Sequence, residues 1–498
     1  MAVIGGNQTA AGAVISGTYT TNGFSALTGN NIINSGGGNA VEIDGGLDTN
    51  TTYDTPNGGA GTLTIGSSNG SRGLLRSKEA ANRIITITNL NLYSGVVLLG
   101  HTQTLAGNVS LTPDGSTYGG IGQNTESGGT STVTANIAGN AGSVGFLYYV
   151  GATNGGVNVL QLNPTTGNTY QGHTMLGNPN VPLAPAVIVS LGSVNAIPHG
   201  TSGTGNVKLL NPNNGATNPV TLDLNGQSTI TINGLDSQTN NNSGYLTTAT
   251  TWIRVTGKRT GSGSAPVEFK VGDNNANGQY AGQIIDGNST LSLTKIGTGT
   301  QTLYGNNTYT GLTKVSGGTL ALSGSGTISN SLDLDTGTLS LTSSLSLASL
   351  VGNGTITGGQ AVAVNSTFGP GHSIGQIDHT GAFTLGGSSI STIEIDLSSN
   401  TFDELNVSGL LTYDGTLNVL FTGSNPGPAS FNVFDFGGFT NDFDFFTYSG
   451  LGGGQTASFD ASTGIVSITA VPEPGTFAML LFGSLMLWAV GRKRISDC

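Results

Sequence analysis

Short stretches of alternating apolar and polar residues, broken by Gly, Asn, Ser or Thr, run through nearly the whole chain. Gly61-Thr62-Leu63-Thr64-Ile65 and Val220-Thr221-Leu222-Asp223-Leu224-Asn225-Gly226 are typical. A period of two with such breaks predicts strand and turn rather than helix. In the middle of the chain the breaks become regular, with Thr302-Leu303, Thr319-Leu320, Thr338-Leu339 and Thr355-Ile356 separated by 17, 19 and 17 residues. That spacing predicts one coil per repeat. Coils stacked about 4.8 Å apart place each apolar residue above its equivalent, so a continuous core forms that no single coil builds alone. The expected fold is therefore all-β: an elongated parallel β-solenoid of the right-handed type. At about 20 residues per coil, residues 1–470 would make a rod of order 100 Å.

From Phe368 the pattern changes. Gly369-Pro370-Gly371-His372-Ser373-Ile374-Gly375 opens a region of longer strands, such as Ser391 to Leu397 and Gly415 to Phe421. A solenoid end exposes unpaired edges, and the Phe-rich stretch Phe431 to Tyr448 predicts a C-terminal β cap over them. The expected organisation is a solenoid-like region over 1–160, repeats over 161–367, a cap region over 368–470 and a distinct tail over 471–498.

The tail breaks with the strand pattern. Val471-Pro472-Glu473-Pro474 precedes an apolar run from Phe477 to Val490, which is followed by Arg492-Lys493-Arg494. Two prolines one residue apart hold the backbone extended and exclude it from the following helix. Fourteen helical residues span about 21 Å of a hydrocarbon core roughly 30 Å thick, and a segment over 475–491 reaches the lower limit of a spanning helix. The basic triplet would stop that helix and hold its end in the cytoplasm.

The three elements in this order resemble the PEP-CTERM sorting signal of exported bacterial proteins. The resemblance implies recognition of Val471, Pro472, Glu473 and Pro474 by an exosortase-type processing enzyme, with transient anchoring in the inner membrane before release to the surface. An ordinary anchor that stays in place would use the same helix and charges. An exported chain is also expected to carry an N-terminal signal peptide, yet no basic residue precedes Arg72.

A second resemblance covers part of the body. Leu291 to Leu303, Gly305-Asn306-Asn307-Thr308-Tyr309-Thr310-Gly311 and Leu312 to Leu322 together resemble the autotransporter-associated β-strand repeat of bacterial passenger regions. A looser copy begins at Gly167-Asn168-Thr169-Tyr170-Gln171-Gly172 and departs from the pattern in the stretch Pro179 to Pro185. This likeness implies a surface or secreted structural protein.

Composition narrows the classes further. Charged residues make up 8% of the chain, against about 25% in typical soluble domains. Between Lys314 and Arg492 there is no Lys or Arg, while thirteen acidic residues lie from Asp333 to Glu473, which argues against a nucleic-acid partner. Cys498 is the single cysteine, so no intrachain disulfide forms.

Candidate chemistry is sparse. Gly371-His372-Ser373-Ile374-Gly375 fits a nucleophile-elbow pattern, but the strand-and-turn reading of Ile377 to Leu385 lacks the helix an elbow needs. His101, His173, His199, His372 and His379 have no metal-ligand spacing, and each is expected at an exposed turn. Arg254, Lys258, Arg259, Glu268, Lys270 and Asp273 form the one mixed-charge group, expected as a solvated edge. Asp44, Asp48 and Asp54, and separately Asp442 and Asp444, match no calcium loop. The expectation is no catalytic residue, no metal and no cofactor. The function expected is adhesion or scaffolding against extracellular polysaccharide or cell-envelope matrix; the alternative is a carbohydrate-active β-helix lyase or hydrolase, favoured if the residues at 254–273 share a groove.

Overall fold

The computed structural model describes strands at 14–15, 19–21, 31–33 and 41–44. Beyond these it describes residues 62–65, 74–78, 84–93, 95–100, 102–112, 119–123, 129–140, 145–150, 157–177, 187–200, 205–211, 219–239, 244–261, 265–424, 427–470 and 481–488. The chain divides into two compact units, 1–343 and 344–498.

In the first unit the chain alternates between two parallel sheets. One has 12 strands and ends at Ile253–Lys258 and Gln283–Gly287; the other has 9 and ends at Val207–Leu210 and Leu235–Gln238. Each circuit adds one layer to each sheet. Asn158 faces Val187, an interval of 29 residues, and Val220 faces Ile253, an interval of 33. The expected average of about 20 residues per coil is therefore too short here, because these coils carry long non-strand segments such as 163–173 between their strands.

The coils shorten after Val267. A third set of strands begins with Thr229–Ile232 and Val267–Val271, where Val267 faces Leu291 at 24 residues and Leu293 faces Thr313 at 20. Thr300, Thr319 and Thr338 then stack at intervals of 19. Leu303 lies over Leu322 and Leu341, so Thr302-Leu303 is not in register with Thr319-Leu320 as the 17-residue spacing suggested. The two alignments differ by two residues, which leaves every side chain on its own face and makes them indistinguishable from alternation alone.

Inward residues supply the stability. Leu303, Leu320, Leu322, Leu339 and Leu341 are all buried, each worth about 1.5–3 kcal/mol relative to exposure.

In the second unit, Ile390–Asp396, Thr416–Thr422 and Phe445–Ser449 stack in parallel, as do Gln376–His379, Glu404–Thr412 and Phe434–Thr440. A three-stranded antiparallel sheet follows, in the order Ala429–Asn432, Ile465–Ala470, Gln455–Asp460. Phe459 brings it onto the last coil, with ring centroids 5.6 Å from Tyr413, 5.7 Å from Phe434 and 5.5 Å from Phe443. Gly464 makes the close approach possible, since at φ 71° a Cβ would fall on the carbonyl of Phe434. Of the Phe-rich stretch, Phe431, Phe434 and Phe443 are buried, whereas Phe439, Phe445 and Tyr448 are exposed.

Of the tail, the structure describes the middle of the expected helix. Residues 481–488 are helical, and among the described residues no helix is long and apolar enough to cross a membrane. Val471 to Pro474, Arg492 to Arg494 and the rest of the predicted 475–491 helix lie outside the described residues.

Candidate functional site

The strongest local geometry lies in the predicted repeat. At Asn307 the side chain bridges three successive coils: its Oδ1 accepts from Ile284 N at 2.8 Å and its Nδ2 donates to Thr327 O at 2.7 Å. Asn168 does the same, accepting from Ile137 N at 2.8 Å and donating to Ala196 O at 2.7 Å. Two residues on, Tyr309 OH lies 2.7 Å from Thr313 Oγ1, and Tyr170 OH lies 2.7 Å from Thr174 Oγ1. The looser copy at Gly167 is therefore the same device: Asn-Thr-Tyr followed four residues after Tyr by Thr. Both tyrosines are buried, and burial pushes their phenols far above the usual range. The asparagine completes backbone bonds at a corner where the sheet ladder stops, and each satisfied pair avoids a penalty of about 1–3 kcal/mol.

The second feature is the change of coil size. The nine-stranded sheet ends at Leu235–Gln238, and its last strand is closed by the following coils. Gln301 Oε1 accepts from Leu235 N at 2.9 Å while its Nε2 donates to Leu235 O at 2.8 Å. Asp236 Oδ1 accepts from Gln279 N and Ser237 Oγ from Ala281 N, both at 2.8 Å. Residues 272–278 act as a strap over the same corner. Asn274 Nδ2 donates to Asn206 Oδ1 at 3.1 Å, Asn206 Nδ2 donates to Asn277 O and to Asp236 Oδ2 at 2.9 Å, and His199 Nδ1 donates to Asp273 Oδ2 at 2.7 Å.

Lys295 sits beside this strap, 1% exposed. Its ammonium donates to Ile296 O, Gly297 O and Gly317 O at 2.6, 3.1 and 3.3 Å, and burial pulls it down to about 8. Three carbonyls hold it as they would a bound cation.

The mixed-charge group does not converge. Arg254 and Lys258 lie on the 12-stranded sheet, whereas Glu268 and Lys270 lie on the third set of strands and pair with each other at 3.2 Å. Arg259 N donates to the buried Asp223 at 3.1 Å, and Asp273 turns to His199. The predicted solvated edge is thus only part of the picture, because the group is divided among separate structural contacts.

The histidines divide too. His372 is exposed as expected. His379 is not: it is 1% exposed, with Nε2 at 3.1 Å from Ala382 O and its ring against Phe383. His173 is half-buried, accepts from Asn206 N at Nδ1 and is pulled down to about 4 by burial, with Lys208 adding to the effect. His101 lies outside the described residues. Ser373 is on an exposed bend between the strands Val362–Pro370 and Gln376–His379, so no helix follows it. Asp442 and Asp444 are exposed, Asp48 and Asp54 lie outside the described residues, and among the described residues no group of three or more His, Cys, Asp or Glu could hold a metal ion.

Sequence reasoning missed Asp403, which is 1% exposed and accepts from Gly375 N and Glu394 N at 2.8 and 2.7 Å. Burial pushes its carboxyl up to about 7. It also missed Lys295 and Gln301. For these two a signal existed: Leu291, Leu293 and Lys295 share a face, and Gln301 precedes Leu303 on another, so both are polar residues at inward positions of an alternating strand.

Stacked parallel coils with side-chain bridges at their corners define a mostly-β protein of the β-solenoid kind. The passenger-associated-transport-repeat family model matches residues 293–322, which include Lys295, Gln301, Asn307, Tyr309 and Thr313. No curated protein matches the chain.

Proposed function

We propose that the protein is an exported, surface or extracellular-matrix β-solenoid with a structural, adhesin-like role, sorted through its C-terminal tail by an exosortase-type enzyme. The observation that carries this reading is the passenger-type repeat at 293–322 set within stacked parallel coils. Such coils repeat a polar face, and many weak contacts along one chain give useful avidity for a polysaccharide or envelope matrix without a deep pocket. The division of Arg254 from Glu268 and Lys270 supports binding over turnover, and the acidic balance supports a partner other than nucleic acid.

Expression of the full chain behind a signal peptide in a bacterium with an exosortase tests the reading. Fractionation and mass spectrometry are expected to find it outside the cell, lacking the apolar run from Phe477. Retention in the cytoplasm, or an intact tail on all exported protein, overturns it.

A further inference from the structure

The corner that carries Asn168 also carries a pocket. It is an open depression between residues 166–169 of one coil and 195–199 of the next, with a volume of about 230 Å³. Its walls are fixed by backbone contacts. Gly167, at φ 101°, lies so near the next coil that an added Cβ would stand 2.9 Å from Asn195 Cβ, and Asn168 N donates to Asn195 O at 3.0 Å. Ile197 and Pro198 are buried and give the pocket an apolar floor. Thr166, Thr169 and Asn195 are exposed and bring two hydroxyls and an amide to its rim. His199 completes the rim, and because its Nδ1 is engaged by Asp273, 74 residues further along the chain, the ring is oriented with Nε2 left to meet a ligand.

These features select a ligand class. No Lys or Arg lines the pocket, and the Asp273 carboxylate stands behind the imidazole, so an anion finds no partner. The volume is below the roughly 300–1,000 Å³ of drug-sized sites, which suits one ring. A pyranose offers a C–H face to Ile197 and Pro198 and hydroxyls that both donate to and accept from threonine, asparagine and imidazole. We propose that this pocket binds a single neutral hexopyranose unit, a chain end or branch of an extracellular polysaccharide, with His199 as a specificity-determining contact and Asp273 as a positioning residue. The inference rests on the proposed function for the source of the sugar, while the pocket itself is tested with free glycosides.

The purified full chain is titrated with methyl glucoside, galactoside and mannoside, and with methyl glucuronide, by ligand-observed NMR. At least one neutral glycoside is expected to bind and the glucuronide to bind more weakly. His199→Ala and, at an exposed position, Asn195→Ala are each expected to weaken binding about tenfold, or roughly 1.4 kcal/mol, with unchanged circular dichroism. Asp273→Ala is expected to lose binding that Asp273→Asn, which keeps an acceptor for His199, retains. No neutral glycoside bound, tighter binding of the glucuronide, or wild-type affinity in both His199→Ala and Asn195→Ala overturns the pocket. If the chain is nevertheless exported and held in matrix, the proposed function survives that failure.

Discussion

Gln301 meets Leu235 as an opposing strand would: one side-chain amide accepts from the backbone N–H at 2.9 Å and donates to the carbonyl of the same residue at 2.8 Å. The two residues lie 66 positions apart and both are buried. In the stacked rank containing Leu320 and Leu339, Gln301 is the polar member. It ends the nine-stranded sheet without leaving its edge open, which is the physical requirement when a coil becomes shorter.

Replacing Gln301 with Leu is therefore expected to destabilise the protein by about 1–3 kcal/mol, although leucine matches the rank above it. Urea unfolding of the full chain reads this directly. A Gln301→Leu protein as stable as the parent would show that the amide contributes nothing net.

Asn168 and Asn307 occupy equivalent places in two repeats, so their alanine variants should behave alike. Each is expected to lose about 1–3 kcal/mol, and hydrogen exchange should quicken locally, at Ile137 N–H for Asn168→Ala and at Ile284 N–H for Asn307→Ala. Faster exchange throughout the chain in either variant, without a local excess, would contradict the bridging role.

Two groups shifted by burial predict opposite responses to acid. His173 falls from 6.5 to about 4 on folding, so its contribution to stability is fully present above its unfolded value and is lost as pH falls from about 6.5 through 4. Asp403 rises from 3.8 to about 7, so its contribution is fully present at low pH and is lost as pH rises from about 4 through 7. Between pH 4 and 6, His173→Gln is expected to reduce the acid loss of stability, and Asp403→Asn to remove an acid gain. Thermal unfolding across this range checks both signs, and a parent-like pH profile in either variant contradicts the corresponding assignment.

The sorting reading predicts a separate outcome at the tail. Alanine at Pro472, Glu473 and Pro474 lets helix extend outward, and is expected to accumulate unprocessed, membrane-bound protein in a host with an exosortase. Neutral residues at Arg492, Lys493 and Arg494 should also impair trimming by weakening orientation. Immunoblots of membrane and medium fractions decide; release of both variants at the parent rate would leave the segment only an anchor.

Alternation and Gly-Asn punctuation alone determined that the chain is built of short strands, that leucines such as Leu320 and Leu322 face inward, and that a coil recurs near residue 300. These are local properties, because side-chain direction in a strand depends only on parity. The Asn-Thr-Tyr motif was legible as a contiguous string, through its resemblance to the passenger repeat. Coil length was not: a slip of two residues preserves parity, so only the stacked partner of Thr300 distinguishes 19 from 17, and only that of Asn158 shows a coil of 29. Nor was the seam at Leu235, since Gln301, Asn206 and Asp273 gain their partners from chain 66 to 74 residues distant. A buried polar group is explained by whatever satisfies it, and in stacked coils that partner is set by tertiary register, not by sequence neighbours.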